Sequence, residues 1–220
     1  IGLELGSVYN RLGCEVTVID TSDSILSVMD KDIKKSGQKI LESQGMTFNL
    51  NVAVKSVDVK AKLAHVVIED KDGKQTTLKA EKVLVAVGRK PNTEGLELSN
   101  AEVELNPRGQ IIIDEQFRST QSNIFAVGDC VPGPMLARKA EEEAIICAEI
   151  VSGKKAKMNY DTIPGVVYTS PEIASVGLTE KEVKEKGVDF NIGKFNFKAN
   201  GRAIAMGSTE GFVKIIADKV

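Results

Sequence analysis

The stretch "IGLELGSVYNRLGCEVTVID", residues 1–20, reads as a helix passing into a strand. Leu3, Leu5, Val8 and Leu12 recur at helical spacing, Gly13 is placed to end the helix, and "EVTVID" is a short β-branched run finishing at Asp20. A strand ahead of that helix would complete a βαβ unit. In the dinucleotide-binding form of the unit, the last glycine of G-x-G-x-x-G lies where the helix begins and packs on the strand. An acid about 20 positions further on then accepts hydrogen bonds from a ribose 2′-OH. Gly2 fits that glycine and Asp20, 18 residues later, fits the acid. A glycine at a helix start and an aspartate at a turn are also ordinary structural choices, so these two positions alone leave both readings open.

Working outward, the pattern predicts a second helix over residues 24–45, with Ile25, Met29, Ile33, Ile40 and Leu41 toward a core and Gly45 as its stop. The runs "MTFNLN", "VKSVDV" and "AHVVIED" then lead through the turn "KDGK" to "TTLKA" and the apolar "KVLVAVG". Together they predict a parallel-sheet frame interrupted by an antiparallel excursion. His65, the only histidine of the chain, falls in "AHVVIED" with no cysteine, serine or carboxylate motif around it and is read as a structural or surface residue. Gly88 ends an apolar strand where a backbone can approach a ligand, and Pro91 with Asn92 turns the chain out of the sheet.

After the turn "NPRG" and the strand "QIIID" comes "NIFAVGD", an apolar strand with a Gly-Asp pair at its carboxyl end, where parallel sheets bind ligands. A proline-rich connection leads to a long helix beginning near Pro134, with Leu136, Ala140, Ala144 and Cys147 on one face. Asp129 can accept hydrogen bonds from sugar-like hydroxyls, and the helix start offers unpaired N–H groups to a phosphate. The alternative is that Asp129 caps a turn and that "KAEEEA" is a solvated helix face, and for "KAEEEA" the solvated face is the expectation.

The composition agrees with a folded chain of more than one domain: 220 residues, 42% apolar and 27% charged. The net charge of −2 points to neither a nucleic-acid groove nor an anionic membrane surface, and the basic cluster Lys154–Lys157 reads as a solvated loop. No apolar run approaches the roughly 20 residues of a membrane-spanning helix. Cys14, Cys130 and Cys147 are odd in number and widely spaced, which fits neither a disulfide framework nor a metal knuckle, and no metal ligands are assigned.

These segments resemble, in order, the flavin-dependent pyridine nucleotide–disulfide oxidoreductases: "IGLELGSVYNRLG", "VGRKPNTEGL", "NIFAVGD", "GPMLARKAEEEA", "VYTSPEIASVGLTE" and "GKFNFKANGRA". The similarity runs through nearly the whole chain. The stretch "GPMLA-KAEEE" is closest to the branch of that family that oxidises dihydrolipoamide. The resemblance implies an α/β fold in three parts: a Rossmann-like NAD-binding domain over 1–90, part of an FAD-binding domain over 91–160, and the start of an α+β dimerisation domain over 161–220. It implies FAD and NAD as cofactors. Ile1, Gly2, Leu3, Glu4, Asp20, Val54 and Gly88 would line the NAD site. Asp129 would hold the FAD ribityl chain, with Met135, Leu136, Ala137 and Arg138 around the flavin phosphates and ring. Arg138 stands where the family usually has histidine. An acid at position 20 suits NAD rather than NADP.

The resemblance further implies a homodimer, with lipoyl domains of 2-oxoacid dehydrogenase or glycine-cleavage complexes as partners, in a bacterial cytoplasm or a mitochondrial matrix. It also implies a C-x₄-C redox pair and a His-Glu pair that these residues do not contain, so no catalytic residue is assigned. The chain is expected to be an internal piece of such an enzyme, inactive by itself. The alternative is a nucleotide-binding and dimerising module without catalysis. In the dimerisation segment, Thr179 with Glu182 predicts a capping box for a helix ending at Gly187, and "FNIGKFNF" with "GFVKIIAD" predicts two strands.

Overall fold

The computed structural model describes residues 1–219. The chain divides into two compact units, one made of Ile1–Ala86 together with the stretch from Val166 onward, the other of Val87–Gly165.

In the first unit, helix α1 (Gly2–Arg11) leads through Gly13, at φ +93°, to strand β1 (Thr17–Ile19). Strand β1 pairs in parallel with β2 (Thr47–Asn49), in the register Val18 opposite Phe48. Between them, α2 covers Lys31–Ser43 and not the whole of 24–45. Ile25 and Met29 are buried as expected, yet Leu26 takes a left-handed φ of +55° and Asp30 caps the helix by accepting from the Asp32 N–H at 3.0 Å. The helical spacing of apolar residues there belongs to a turn that packs like a helix without being one. Ile25, Leu41 and Met46 form the core, with Leu3, Val16, Val18 and Phe48 against it. Each fully buried aliphatic side chain of this kind contributes about 1.5–3 kcal/mol.

The antiparallel excursion is a three-stranded meander of β3 (Ala53–Lys60), β4 (Leu63–Glu69) and β5 (Gln75–Ala80), with a register shift between Val54 and Ser56. Ala64, Val66 and Ile68 alternate inward on β4, while His65 stands between Asp58 and Lys79. The expected strand "KVLVAVG" does not form: residues 82–88 pair with no strand among the described residues. A strand exists only where a neighbour takes its N–H and C=O groups. Val85 and Val87 are accordingly 73% and 94% exposed.

The second unit is mostly irregular. "QIIID" and "NIFAVGD" are reduced to isolated bridges, Leu105 with Ile111 and Arg118 with Phe125. Its core is Val103, Ile111, Ala126 and Val131. Helix α3 covers Ala137–Val151, beginning after Pro134 rather than at it. The expected solvated face of "KAEEEA" is corrected in part, because Lys139 and Glu143 are fully buried while Glu141, Glu142 and Ala144 are exposed.

Past β6 (Gly165–Val167), the first unit resumes with β7 (Ile173–Ser175), α4 (Glu180–Glu185), β8 (Phe190–Asn196), α5 (Gly201–Ala205) and β9 (Phe212–Asp218). Strands β8 and β9 pair antiparallel, and the capping box of α4 is present: Thr179 Oγ1 accepts from the Glu182 N–H, and the Glu182 carboxylate accepts from the Thr179 N–H at 2.7 Å. The two sections of this unit are joined by charge. Lys214 Nζ, on β9, lies 2.8 Å from Asp30, 2.9 Å from Glu180 and 3.2 Å from Asp32. Glu180 also receives Lys31 and Lys184.

Candidate functional site

In the second unit the chain turns at Gly128–Cys130, and Asp129 projects its carboxylate from that turn. Gly128 takes φ +82°, which is open to glycine and strained for any residue with a Cβ. A Cβ there would also lie 3.3 Å from the Ala140 Cβ, so the turn sits tight on α3. Asp129 Oδ2 is 2.6 Å from Arg89 Nη2, and Arg89 Nη1 donates to the Met135 carbonyl at 3.4 Å. Arg89 was not among the expected site residues. Its only signal in the sequence is its place in "VGRKPN", between the glycine and the proline that mark the turn.

Met135 and Leu136 are half-buried and lead into α3. Leu136 is its N-cap without a side-chain hydrogen bond, and Ala137 and Arg138 are exposed in its first turn. That turn holds no acidic residue, so the first N–H groups and the positive end of the dipole are available to an anion. Arg138 lies 3.5 Å from Glu141 at the surface.

Beneath the turn lie the buried charges. Lys139 Nζ donates to the Gly128 carbonyl at 2.8 Å, the Gly128 N–H donates to Glu143 Oε2 at 2.7 Å, and Lys139 and Glu143 are 3.0 Å apart. The Tyr160 hydroxyl donates to Glu143 Oε1 at 2.8 Å, and burial, reinforced by that bond, pushes the phenol up to about 12.

In the first unit, Gly2 opens α1 against Ala86, where a Cβ on the glycine would stand 3.4 Å from the alanine Cβ. Ile1 is the exposed N-cap, and Leu3 packs on the core. Glu4 accepts from the Tyr168 N–H at 2.9 Å, a bond that holds its carboxyl below the ordinary value. Asp20 follows β1, half-buried. Its Oδ1 accepts from the Ser22 N–H at 2.8 Å, its N–H donates to the Asn49 carbonyl and its carbonyl accepts from Val52. An open surface hollow nearby is lined by Thr21, residues 51–53 and the charged residues Glu69, Asp70 and Lys71, and Asp20 itself does not line it. Val54 is about half-exposed at the bulge of β3. Gly88 belongs to the other unit, at φ +133° with open space where a Cβ would be.

Cys14 is exposed and Cys130 and Cys147 are half-buried, all as free thiols, and burial raises the Cys147 thiol above its ordinary value. Among the described residues no group of three or more His, Cys, Asp or Glu is arranged to hold a metal, and no helix is long and apolar enough to cross a membrane.

The parallel crossover from β1 through α2 to β2, and the helix α3 packed beneath the Gly128–Cys130 turn, define an α/β protein. Residues 1–144 match the family described as pyridine nucleotide-disulphide oxidoreductase, and residues 163–220 match its dimerisation domain. The chain belongs to that family. It is 49% identical over 220 residues to dihydrolipoyl dehydrogenase 2, mitochondrial, of Arabidopsis thaliana, covering all of this chain and 43% of that protein. It is likewise 49% identical over 220 residues to leghemoglobin reductase of Glycine max, covering 42% of that protein. Among solved structures it is similar to the HOCl-induced flavoprotein disulfide reductase RclA from Escherichia coli. The TM-score there is 0.88 at 28% identity, over 98% of this chain and 49% of that one. The chain thus spans under half the length of these relatives.

Proposed function

We propose that this chain forms the NAD-binding domain (1–90), part of the FAD-binding domain (91–160) and the start of the dimerisation domain (161–220) of a dihydrolipoyl dehydrogenase. On this reading the enzyme is a homodimer that oxidises dihydrolipoamide carried on lipoyl domains, in a mitochondrial matrix or a bacterial cytoplasm. The observation that carries the reading is the 49% identity to a dihydrolipoyl dehydrogenase across all 220 residues.

The residues fit the two cofactors. A carboxylate at the end of β1 accepts from the two ribose hydroxyls of NAD and repels a 2′-phosphate, which is the role assigned to Asp20, with Ile1, Gly2, Leu3, Glu4 and Val54 lining the site. Asp129, one oxygen on Arg89, offers the other to a ribityl hydroxyl of FAD. The unpaired N–H groups from Ala137 and Arg138, with Met135 and Leu136 before them, receive its phosphates. When bound, the flavin supplies two-electron transfer between a dithiol and NAD⁺. Residues 1–220 bind and orient on this reading, and no thiol exchange is assigned to Cys14, Cys130 or Cys147.

The test uses the full natural chain, loaded with FAD and supplied with dihydrolipoamide and NAD⁺, with NADH absorbance as the readout. Turnover is expected, and its absence overturns the reading. Asp129→Ala removes a charge-assisted hydrogen bond worth about 1.5–3 kcal/mol, so FAD is expected to bind roughly 10- to more than 100-fold more weakly. Full flavin occupancy with an unaltered dissociation constant would sink the assignment of Asp129.

A further inference from the structure

The least expected feature of the chain is a complete ion pair with no exposed surface. Lys139 and Glu143 are both 0% exposed and stand one helical turn apart on α3. Burying two charges costs several kcal/mol each, and their attraction repays it at best, so an apolar pair of the same volume would serve stability as well or better. What an apolar pair cannot do is hold hydrogen bonds.

This pair holds both backbone groups of a single residue. The lysine grips the Gly128 carbonyl, the glutamate grips the Gly128 N–H, and Tyr160 braces the glutamate from its other oxygen. Gripping N–H and C=O together fixes the peptide planes on either side of Gly128, and with them the direction in which the next residue leaves the turn. That next residue is Asp129. The chain accommodates the device at a second glycine: a Cβ on Gly133 would lie 2.9 Å from the Lys139 Cε, so only glycine lets the loop pass over the lysine.

We propose that the Lys139–Glu143 pair is a positioning device for Asp129, setting the angle at which its carboxylate meets the sugar-alcohol chain of the flavin. Lys139, Glu143 and Tyr160 act through Gly128 and are positioning residues. The proposal rests on the reading of Asp129 as a flavin ligand.

The experiment compares Lys139→Met/Glu143→Met, Asp129→Ala and the triple variant in the full natural chain, with FAD as the probe. Three quantities are read: the FAD dissociation constant, the visible circular dichroism of bound FAD, and the thermal midpoint of the apoprotein. The double variant leaves no orphan charge but removes the partners of the Gly128 N–H and C=O and of the Tyr160 hydroxyl, so its apoprotein is expected to fold with a lowered midpoint. It should bind FAD at least about tenfold more weakly with an altered dichroic band, and it should add nothing to Asp129→Ala in the triple variant, since the two act on one contact. Unchanged affinity and dichroism in the double variant, with Asp129→Ala still weakening FAD, overturns the positioning role and leaves the Asp129 reading standing. An effect additive with Asp129→Ala also overturns it. If Asp129→Ala itself changes nothing, the underlying reading falls. Should the double variant not fold, Tyr160→Phe at its half-exposed site takes its place. A weakening of about two- to fivefold that vanishes in the Asp129→Ala background supports the device, and a zero or additive effect overturns it.

Discussion

Asp20 shows how much one carboxylate is asked to decide. It sits half-buried after β1 with Oδ1 on the Ser22 N–H, and Oδ1 alone is engaged among the described residues. Asp20→Arg places a guanidinium where an anion stood, so NAD⁺ affinity is expected to fall about tenfold and NADP⁺ affinity to rise. Titrating the full natural chain with each cofactor checks this, and an unchanged preference would reduce Asp20 to a turn residue. The places of Asp20 after β1 and of Asp129 in the Gly128–Cys130 turn were legible in the sequence because each lies at the end of a recognisable apolar run. Lys139 and Glu143 were not. A lysine and a glutamate spaced by one turn look like a solvated ion pair, and the groups that bury them, Gly128 and Tyr160, come from other parts of the chain.

At the scale of elements, what was local was legible: α1 with its terminal glycine, the β3–β5 meander, and the Thr179–Glu182 capping box. What depended on a neighbour was not. The predicted helix over 24–45 began seven residues early because its apolar spacing continued through a turn that Asp30 then ends. The run at 82–88 has the right composition for a strand and pairs with no strand among the described residues. The ties between α2, α4 and β9 were equally invisible, resting on Lys214 between Asp30, Asp32 and Glu180. Burial would pull the Lys214 ammonium down, but its bonds to Asp30, Glu180 and Asp32 hold it above its ordinary value. Those bonds hold Asp30 and Asp32 below theirs against burial, while Glu180 is lowered by Lys184, Lys214 and Lys31. Carboxyls depressed in the folded state contribute stability above their unfolded pKa, near 4, and lose it as pH falls below. Lys214→Met is expected to cost about 3 kcal/mol at pH 7 and to flatten the acid limb of stability between roughly pH 5 and 2. Denaturant melts at stepped pH measure both, and a parallel shift at all pH values would refute the coupling.

For the molecule as a whole, the apolar backbone at 82–88 sets solution behaviour. Val85 and Val87 are exposed on a segment with unsatisfied pairing capacity, the combination that invites edge-to-edge association. Residues 1–220 alone are expected to self-associate in a concentration-dependent way by light scattering, and Val85→Lys with Val87→Lys to suppress it. A monodisperse monomer at high concentration would contradict this. The Lys214 cluster carries a different consequence, one of time. Asp30 and Lys214 are 184 residues apart in sequence, and the unit they join is interrupted by the whole of the other. A ribosome adding about 5–20 residues per second makes the lysine roughly 10–40 s after the aspartate. During synthesis Asp30, Asp32 and Glu180 wait without their shared counter-ion until β9 has been made.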